Sequence, residues 1–226
     1  MTRVKICGVT DPENAVQCAR LGADMIGLNF YPRGPRYVET KVAREIVQAL
    51  RSDVGPNKPL VVGVFVNASS QSSLRMMDLL DLDAIQLSGD EPLDTLADYH
   101  GRAFKALRPE DSDPGSQIEA IMPFIPSDPD LPGALLDAQH DTLYGGTGRL
   151  VDPELALQLV RRVPRLLLAG GLNPDNVADR IRQVKPWGVD VASGVESEGP
   201  GLKDLDMVRR FVQAVNTANG SEEIEG

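Results

Sequence analysis

The sequence is most informative at first through what it is short of. It carries two cysteines in 226 residues, which cannot supply a disulfide framework for a chain of this length. Its two histidines, His100 and His140, show no metal-ligand spacing. No run of about 18 apolar residues occurs, which excludes an ordinary membrane-spanning helix. The opening MTRVKICGVT lacks the basic stretch and apolar run of a secretory signal. Positive charge is in deficit, since 33 Asp and Glu against 23 Lys and Arg leave a formal charge of −10 and a pI near 4.7. That balance excludes a protein that coats nucleic acid or lies on anionic lipid, because both need clustered positive charge. Domain linkers, internal copies and low-complexity tracts are absent as well. The expectation is a cytoplasmic, acidic protein with one large core, of ordinary globular composition at 42% hydrophobic and 25% charged residues.

What is present is a regular alternation of short apolar runs with amphipathic stretches. The runs are RVKICG (3–8), MIGLNF (25–30), PLVVGVFV (59–66), AIQLSG (84–89), RAFKALR (102–108), GALLDA (133–138), RLLLAGG (165–171) and GVDVAS (188–193). Helical patterns follow each, at 12–21, 40–51, 70–80, 92–99, 116–124, 153–162, 174–184 and 204–216. Thr40, Ser70, Asp204, and Asn173 followed by Pro174 read as helix starts. Strict alternation of strand and helix forces a parallel sheet covered by helices. Eight units of about 28 residues each predict a closed single-domain (β/α)8 TIM barrel over 1–216. An open doubly wound sheet would call for a Gly-rich first turn, and the first turn here is CGVTD. The last ten residues, TANGSEEIEG (217–226), are polar and expected to fray.

Side chains alternate across a strand, so every second residue points into the barrel. On that reading Lys5 and Cys7 point inward together, as do Gly27 with Asn29, Gln86 with Ser88, Leu135 with Asp137, and Asp190 with Ala192; Lys105, sharing a face with Leu107, is placed with these inward polar groups. Buried polar groups are costly unless paired, so such a set near the strand C-termini marks a site. Lys5 beside Cys7 is expected to lower the thiol pKa and make it usable as a base. Asp137 closes a run of Ala and Leu, where its pKa is expected to rise, as suits a general acid. Cys18, in the first helix, reads as packing. The long segment 31–39 carries Arg33 and Arg36, of which Arg36 suits a carboxylate or phosphate. Segment 139–152, with His140, follows a strand and sits on the same face. Segments 108–115 and 126–133 read as a solvated loop and a connection on the opposite face. Glycine turns after strands 7 and 8, at Gly170 and Gly171 and at Ser193 and Gly194, offer backbone N–H groups to an anion, the usual phosphate position in such barrels.

These segments together resemble the phosphoribosylanthranilate isomerase family of tryptophan biosynthesis over nearly the whole chain. The match is carried by VKICGVT (4–10), GLNFYPRGPRYV (27–38), VGVFVN (62–67), IQLSGDE (85–91), LLD (135–137), YGGTGR (144–149), AGGLNPDNV (169–177), VDVASGVES (189–197) and PGLKD (200–204). The resemblance implies an Amadori rearrangement of N-(5-phosphoribosyl)anthranilate to 1-(2-carboxyphenylamino)-1-deoxyribulose 5-phosphate. It implies Asp137 as the general acid that opens the furanose and Cys7 as the base that removes the C2 proton. It places Arg36 at the anthranilate end, Asp190 near the sugar, and Gly170, Gly171, Ser193 and Gly194 around the phosphate. It implies no metal and no cofactor, since the substrate nitrogen is the electron sink, and a small-molecule partner without nucleic acid or membrane; the sequence leaves monomer and homodimer both open. One departure is QLSG at strand 4, with Ser88 where the family usually has histidine; any hydrogen bond from that histidine is lost here. A histidine-pathway isomerase would carry aspartate where this chain has Cys7, and a metal-dependent sugar-phosphate epimerase would need more histidines. A non-catalytic sugar-phosphate binder would lack Cys7 or Asp137.

Overall fold

The computed structural model describes residues 1–55, 58–108, 114–137 and 152–220. All eight apolar runs form strands: β1 (Arg3–Cys7), β2 (Met25–Asn29), β3 (Leu60–Phe65), β4 (Ala84–Leu87), β5 (Ala103–Leu107), β6 (Ala134–Leu136), β7 (Leu166–Leu168) and β8 (Gly188–Val191). Each pairs in parallel with its neighbour in sequence, and β1 pairs with β8 to close the barrel. Closure leaves no unpaired sheet edge. Among the described residues seven α-helices accompany the strands: α1 (Pro12–Arg20), α2 (Thr40–Asp53), α3 (Ser70–Leu80), α4 (Pro114–Ile121), α5 (Pro153–Arg162), α6 (Val177–Val184) and α7 (Leu205–Gly220).

The alternation of side chains produces two cores. Val4, Ile6, Ile26, Leu28, Val61, Ile85, Leu136, Leu168 and Val191 face the helices, while Met25, Val62, Ala84, Phe104, Ala106, Leu135 and Leu167 fill the barrel. Strand β5 corrects the sequence reading. Phe104 and Ala106 point inward, so Lys105 points outward, where its ammonium donates to the Gly89 carbonyl at 2.7 Å and pairs with Glu91. Glu91 also accepts the backbone N–H groups of Asn67 and Gly89, at 2.6 and 2.9 Å. This buried clasp ties the turns after β3 and β4 to β5.

Helix starts follow side-chain capping, sometimes one residue from where the sequence suggests. Asp11 accepts from Asn14 N at 2.7 Å, and Asp204 from Asp206 N and Met207 N at 3.0 and 3.1 Å. Ser69, rather than Ser70, accepts from Ser72 N at the start of α3, and α2 begins after Glu39 with no side-chain cap at all, so Thr40 is its first residue. Asn173 caps the turn through Asp175 N, and α6 starts later, at Val177. The segment after β4 is a 3-10 helix, Leu93–Tyr99, rather than an α-helix. Leu93, Leu96 and Tyr99 recur every three residues, which three residues per turn aligns in one row, whereas an α-helix spreads them over about 120°. Helix α7 runs to Gly220, into the segment read as a polar tail; 221–226, most of the 108–115 loop, and 138–151 with His140 lie outside the described residues.

Entry into the barrel is tightest where β6 and β7 begin. Gly133 N donates to the Arg165 carbonyl at 3.0 Å, and a Cβ on Gly133 would lie 2.2 Å from the Pro164 carbonyl oxygen. That oxygen is backbone and cannot rotate aside. Gly133→Ala is therefore expected to lower unfolding free energy by at least about 2 kcal/mol in urea titration, while Gly220→Ala, which meets nothing within 4 Å, should change it by less than about 0.5 kcal/mol.

Candidate active site

The C-terminal ends of the strands surround one hollow. Cys7, Arg36, Asp137, Gly170, Gly171, Asp190, Ser193 and Gly194 all line it, together with Gly8, Asn29, Gln86, Ser88 and Arg108. A larger hollow of about 690 Å³ opens at the opposite end of the barrel, among Arg3, Asp24, Asp130 and Trp187. Its Arg3 is already paired with Asp24 at 3.0 Å and Asp130 at 3.2 Å, and no Cys, Ser, Thr or His is among its described lining residues. The chemistry-bearing side chains converge on the C-terminal mouth.

Cys7 ends β1, and two glycines make its position possible. A Cβ on Gly27 of β2 would lie 2.8 Å from Cys7 Sγ and 3.2 Å from Lys5 Nζ, so the thiol and the ammonium occupy the space that a side chain there would fill. Gly8 has φ +72°, and a Cβ on it would lie 2.3 Å from Arg36 Cδ. The Arg36 stem thus crosses directly over the residue after Cys7. Both requirements are met only by glycine.

Lys5 and Asp190 face each other across the β1–β8 seam, where they are register partners, with Nζ donating to Oδ1 at 2.7 Å. Lys5 is fully buried. Burial alone would lower its pKa, but the charge of Asp190 and the neighbouring thiol carry it above the usual lysine value. For Cys7 the outcome reverses the sequence expectation. Burial pushes the thiol up, the charge of Lys5 pulls it down, Asp190 pushes it up again, and the net displacement is upward. The ammonium is spent largely on Asp190, so it does not offset burial of the thiol. Cys18 is buried on α1, with its thiol pushed up to about 12 by burial, and is inert packing.

Arg36 is held by a residue that sequence reasoning did not single out. Its Nε and Nη2 donate to Oε1 and Oε2 of Glu196, at 2.9 and 2.6 Å. Glu196 Oε1 also accepts from Lys203 Nζ at 2.6 Å and from Gly201 N at 3.0 Å. Burial would raise Glu196, but the hydrogen bonds from Arg36 and the charge of Lys203 hold it below the usual carboxylate value. The hydrogen bonds to Glu196 raise Arg36 in turn. Burial pushes Lys203 down against the pull of Glu196. Glu196 and Lys203 stand inside the segments SGVE and PGLKD, but nothing local in those segments signals that they meet Arg36.

On the far side of the mouth, Gln86 Nε2 donates to Ser88 Oγ at 2.9 Å, and Gln86 Oε1 is buried without a hydrogen-bond partner among the described residues. Arg108, also missed from sequence, donates to the Ser88 carbonyl at 2.7 Å. Asp137 is set one residue past β6 by its N–H, which donates to the Leu107 carbonyl at 3.1 Å. Gly170 and Gly171 have φ of +85° and +60°. Gly194 begins the turn after β8 so close to the β7 loop that a Cβ would lie 1.8 Å from the Leu172 carbonyl oxygen. The two glycine turns are thus packed backbone against backbone. Arg33 lies outside the hollow, stacked 5.3 Å over the Tyr31 ring, and His100 is an exposed left-handed residue closing the 3-10 helix. Among the described residues no group of three His, Cys, Asp or Glu is arranged to hold a metal ion, and no helix is long and apolar enough to cross a membrane.

The arrangement offers a thiol, a carboxyl group, an arginine and two backbone N–H turns around one small hollow. Comparison with known proteins gives the same direction. The family model for N-(5'-phosphoribosyl)anthranilate (PRA) isomerase matches residues 4–214. The N-(5'-phosphoribosyl)anthranilate isomerase of Trichlorobacter lovleyi is 39% identical over 218 residues, 96% of this chain and 100% of that protein. The solved phosphoribosyl anthranilate isomerase of Thermotoga maritima is 34% identical with a TM-score of 0.82, covering 96% of this chain and all of that one. A structure of the isomerase in complex with reduced 1-(o-carboxyphenylamino)-1-deoxyribulose 5-phosphate matches at 34% identity and a TM-score of 0.78, over 96% and 100% of the two chains. With a shared barrel, a family model matching residues 4–214 and near-complete coverage in both directions, this chain belongs to the N-(5'-phosphoribosyl)anthranilate isomerase family of tryptophan biosynthesis.

Proposed function

We propose that the protein converts N-(5'-phosphoribosyl)anthranilate to 1-(2-carboxyphenylamino)-1-deoxyribulose 5-phosphate, with Asp137 and Cys7 as the proton-transfer pair. The observation that carries this reading is the convergence of Cys7 from β1 and Asp137 from β6 on one hollow that also holds Arg36 and both glycine turns. Asp137, as the acid, gives its proton to the furanose ring oxygen while the C1–O bond breaks and the substrate nitrogen supplies the electron pair of the imine. Cys7, as thiolate, then takes the proton from C2, and the electron pair of that C–H bond forms the enolamine. Tautomerisation of the enolamine yields the ketone. Arg36 takes the anthranilate carboxylate, Asp190 lies near the sugar, and N–H groups around Gly170, Gly171, Ser193 and Gly194 take the phosphate.

Position supplies much of the advantage, since Cys7 and Asp137 stand at strand ends and both ends of the substrate meet the segments that follow the strands. Ser88, in place of the histidine usual in the family, lies outside the proton-transfer pair. Replacing either member of that pair removes a proton-transfer group outright. Cys7→Ala and Asp137→Asn are each expected to lower kcat by about 10²- to 10⁴-fold, read as the loss of fluorescence decay of freshly made substrate, with unchanged circular dichroism. Near-normal turnover in either variant removes that residue from its role.

The upward displacement of Cys7 has a kinetic consequence. The thiolate is the active form, so kcat/KM should rise with pH along a limb that reports the thiol in the free enzyme. Asp190 contributes to the upward push through its charge, and it also occupies the Lys5 ammonium. The thiol is therefore coupled to the Lys5–Asp190 pair as a unit. Cys7→Ser, whose hydroxyl does not ionise across this range, is expected to flatten this limb in whatever activity remains, and a limb that survives unchanged contradicts Cys7 as the titrating base.

A further inference from the structure

Arg36 spends its Nε and Nη2 edge on both oxygens of Glu196, and its Nη1 has no hydrogen-bond partner among the described residues. A guanidinium locked to a carboxylate is close to neutral as seen from outside. A second carboxylate approaching it would be repelled by Glu196 nearly as strongly as Arg36 attracts it. Lys203 alters that balance. Its side chain is completely buried behind Glu196, and its Nζ meets acceptors, Glu196 Oε1 at 2.6 Å and the Ala192 carbonyl at 3.2 Å. The group of three holds two cations and one carboxylate, almost wholly enclosed, with Arg36 as the member that reaches the hollow.

Anchoring does not account for the buried ammonium. The backbone of Lys203 is already clamped by Asn14, whose Nδ2 donates to the Lys203 carbonyl at 2.8 Å and whose Oδ1 accepts from Lys203 N at 2.9 Å. The following residue is pinned to the turn after β8 by Asp204 N donating to the Val195 carbonyl at 2.9 Å. These bonds seat the segment without any charge. Burying an ammonium carries a desolvation cost that seating alone does not require.

We propose that Glu196 and Lys203 are positioning residues for Arg36: Glu196 aims the guanidinium, and Lys203 restores the unit of positive charge that Glu196 cancels, so that this end of the hollow selects a ligand bearing a carboxylate. The proposal rests on the reading of Arg36 as the group that meets the anthranilate carboxylate, and goes beyond it by assigning the charge behind Arg36.

The test is calorimetric titration of the full chain with two probes, reduced 1-(o-carboxyphenylamino)-1-deoxyribulose 5-phosphate and its counterpart lacking the ring carboxyl. The wild type is expected to prefer the carboxylated probe by about tenfold or more, and Arg36→Met to lose that preference. Lys203→Met is expected to reduce it to within about threefold while leaving affinity for the carboxyl-free probe unchanged. The double variant Lys203→Met/Glu196→Gln returns the group to one net positive charge and should recover most of the preference, which a purely structural role for Lys203 would not do. If Lys203→Met does not fold, the double variant still decides, because only the charge account predicts a strong preference there. A preference lost in Arg36→Met but kept in Lys203→Met, or absent from the double variant, overturns the proposal and leaves Arg36 in place. A wild type without preference, or one whose preference survives Arg36→Met, overturns the reading of Arg36 and the proposal with it.

Discussion

A buried ion pair, Lys5 with Asp190 at 2.7 Å, spans the seam where the first strand meets the last. Either charge alone would be intolerable inside the barrel, and removing one partner of such a pair costs about 3–5 kcal/mol, a large share of a typical domain's stability. The pair therefore links closure of the fold to the electrostatics of the mouth. The ammonium lies beneath Cys7, in space left by Gly27, and the carboxylate beside it takes up most of its charge. The thiol accordingly keeps an elevated proton affinity in the resting protein. In the role proposed for Cys7, such a thiolate accepts a proton readily, which suits abstraction of a weakly acidic C–H.

The acidity of the chain as a whole, −10, sits beside a mouth that carries Lys5, Arg36, Arg108 and Lys203. Net charge governs solubility and long-range encounter, whereas binding at the mouth depends on the few charges enclosed there. The enclosed groups come in compensated sets. Lys5 balances Asp190, Lys105 balances Glu91 outside the barrel, and the Arg36 group is left with one cation in excess. Of these three sets, the last presents its excess charge to the hollow through Arg36. Close backbone approach serves the same economy of space: Gly8 admits the Arg36 stem, and Gly194 admits the Leu172 carbonyl.

Much of this was legible from residue patterns. Strands with a polar residue at every second position, such as RVKICG and GVDVAS, identified their own inward faces, and Lys5, Cys7 and Asp190 were placed accordingly. RAFKALR did not, because both of its faces are buried and its apolar residues fall on each. With a side-chain period of two, a one-residue offset turns every side chain over; the offset was settled by Glu91, which reaches Lys105 from the neighbouring turn. The helix after β4 was misread for a related reason. Its period of three differs little from 3.6 over seven residues, and only packing against the barrel distinguishes them.

The sequence by itself determined the order of elements, closure into a barrel, and the standing of Cys7, Asp137 and the glycine turns at strand ends, because each depends on local periodicity and on the short list of ways parallel strands can be covered. Tertiary structure alone decided the electrostatic character of those groups. Lys5 and Asp190 are 185 residues apart in the chain, and Arg36 and Glu196 are 160 apart. Local pattern constrains a residue's face and depth, but not which distant charge will stand within hydrogen-bonding range. That distance sets whether a buried thiol rises or falls in pKa, and whether an arginine reaches the hollow alone or with a partner.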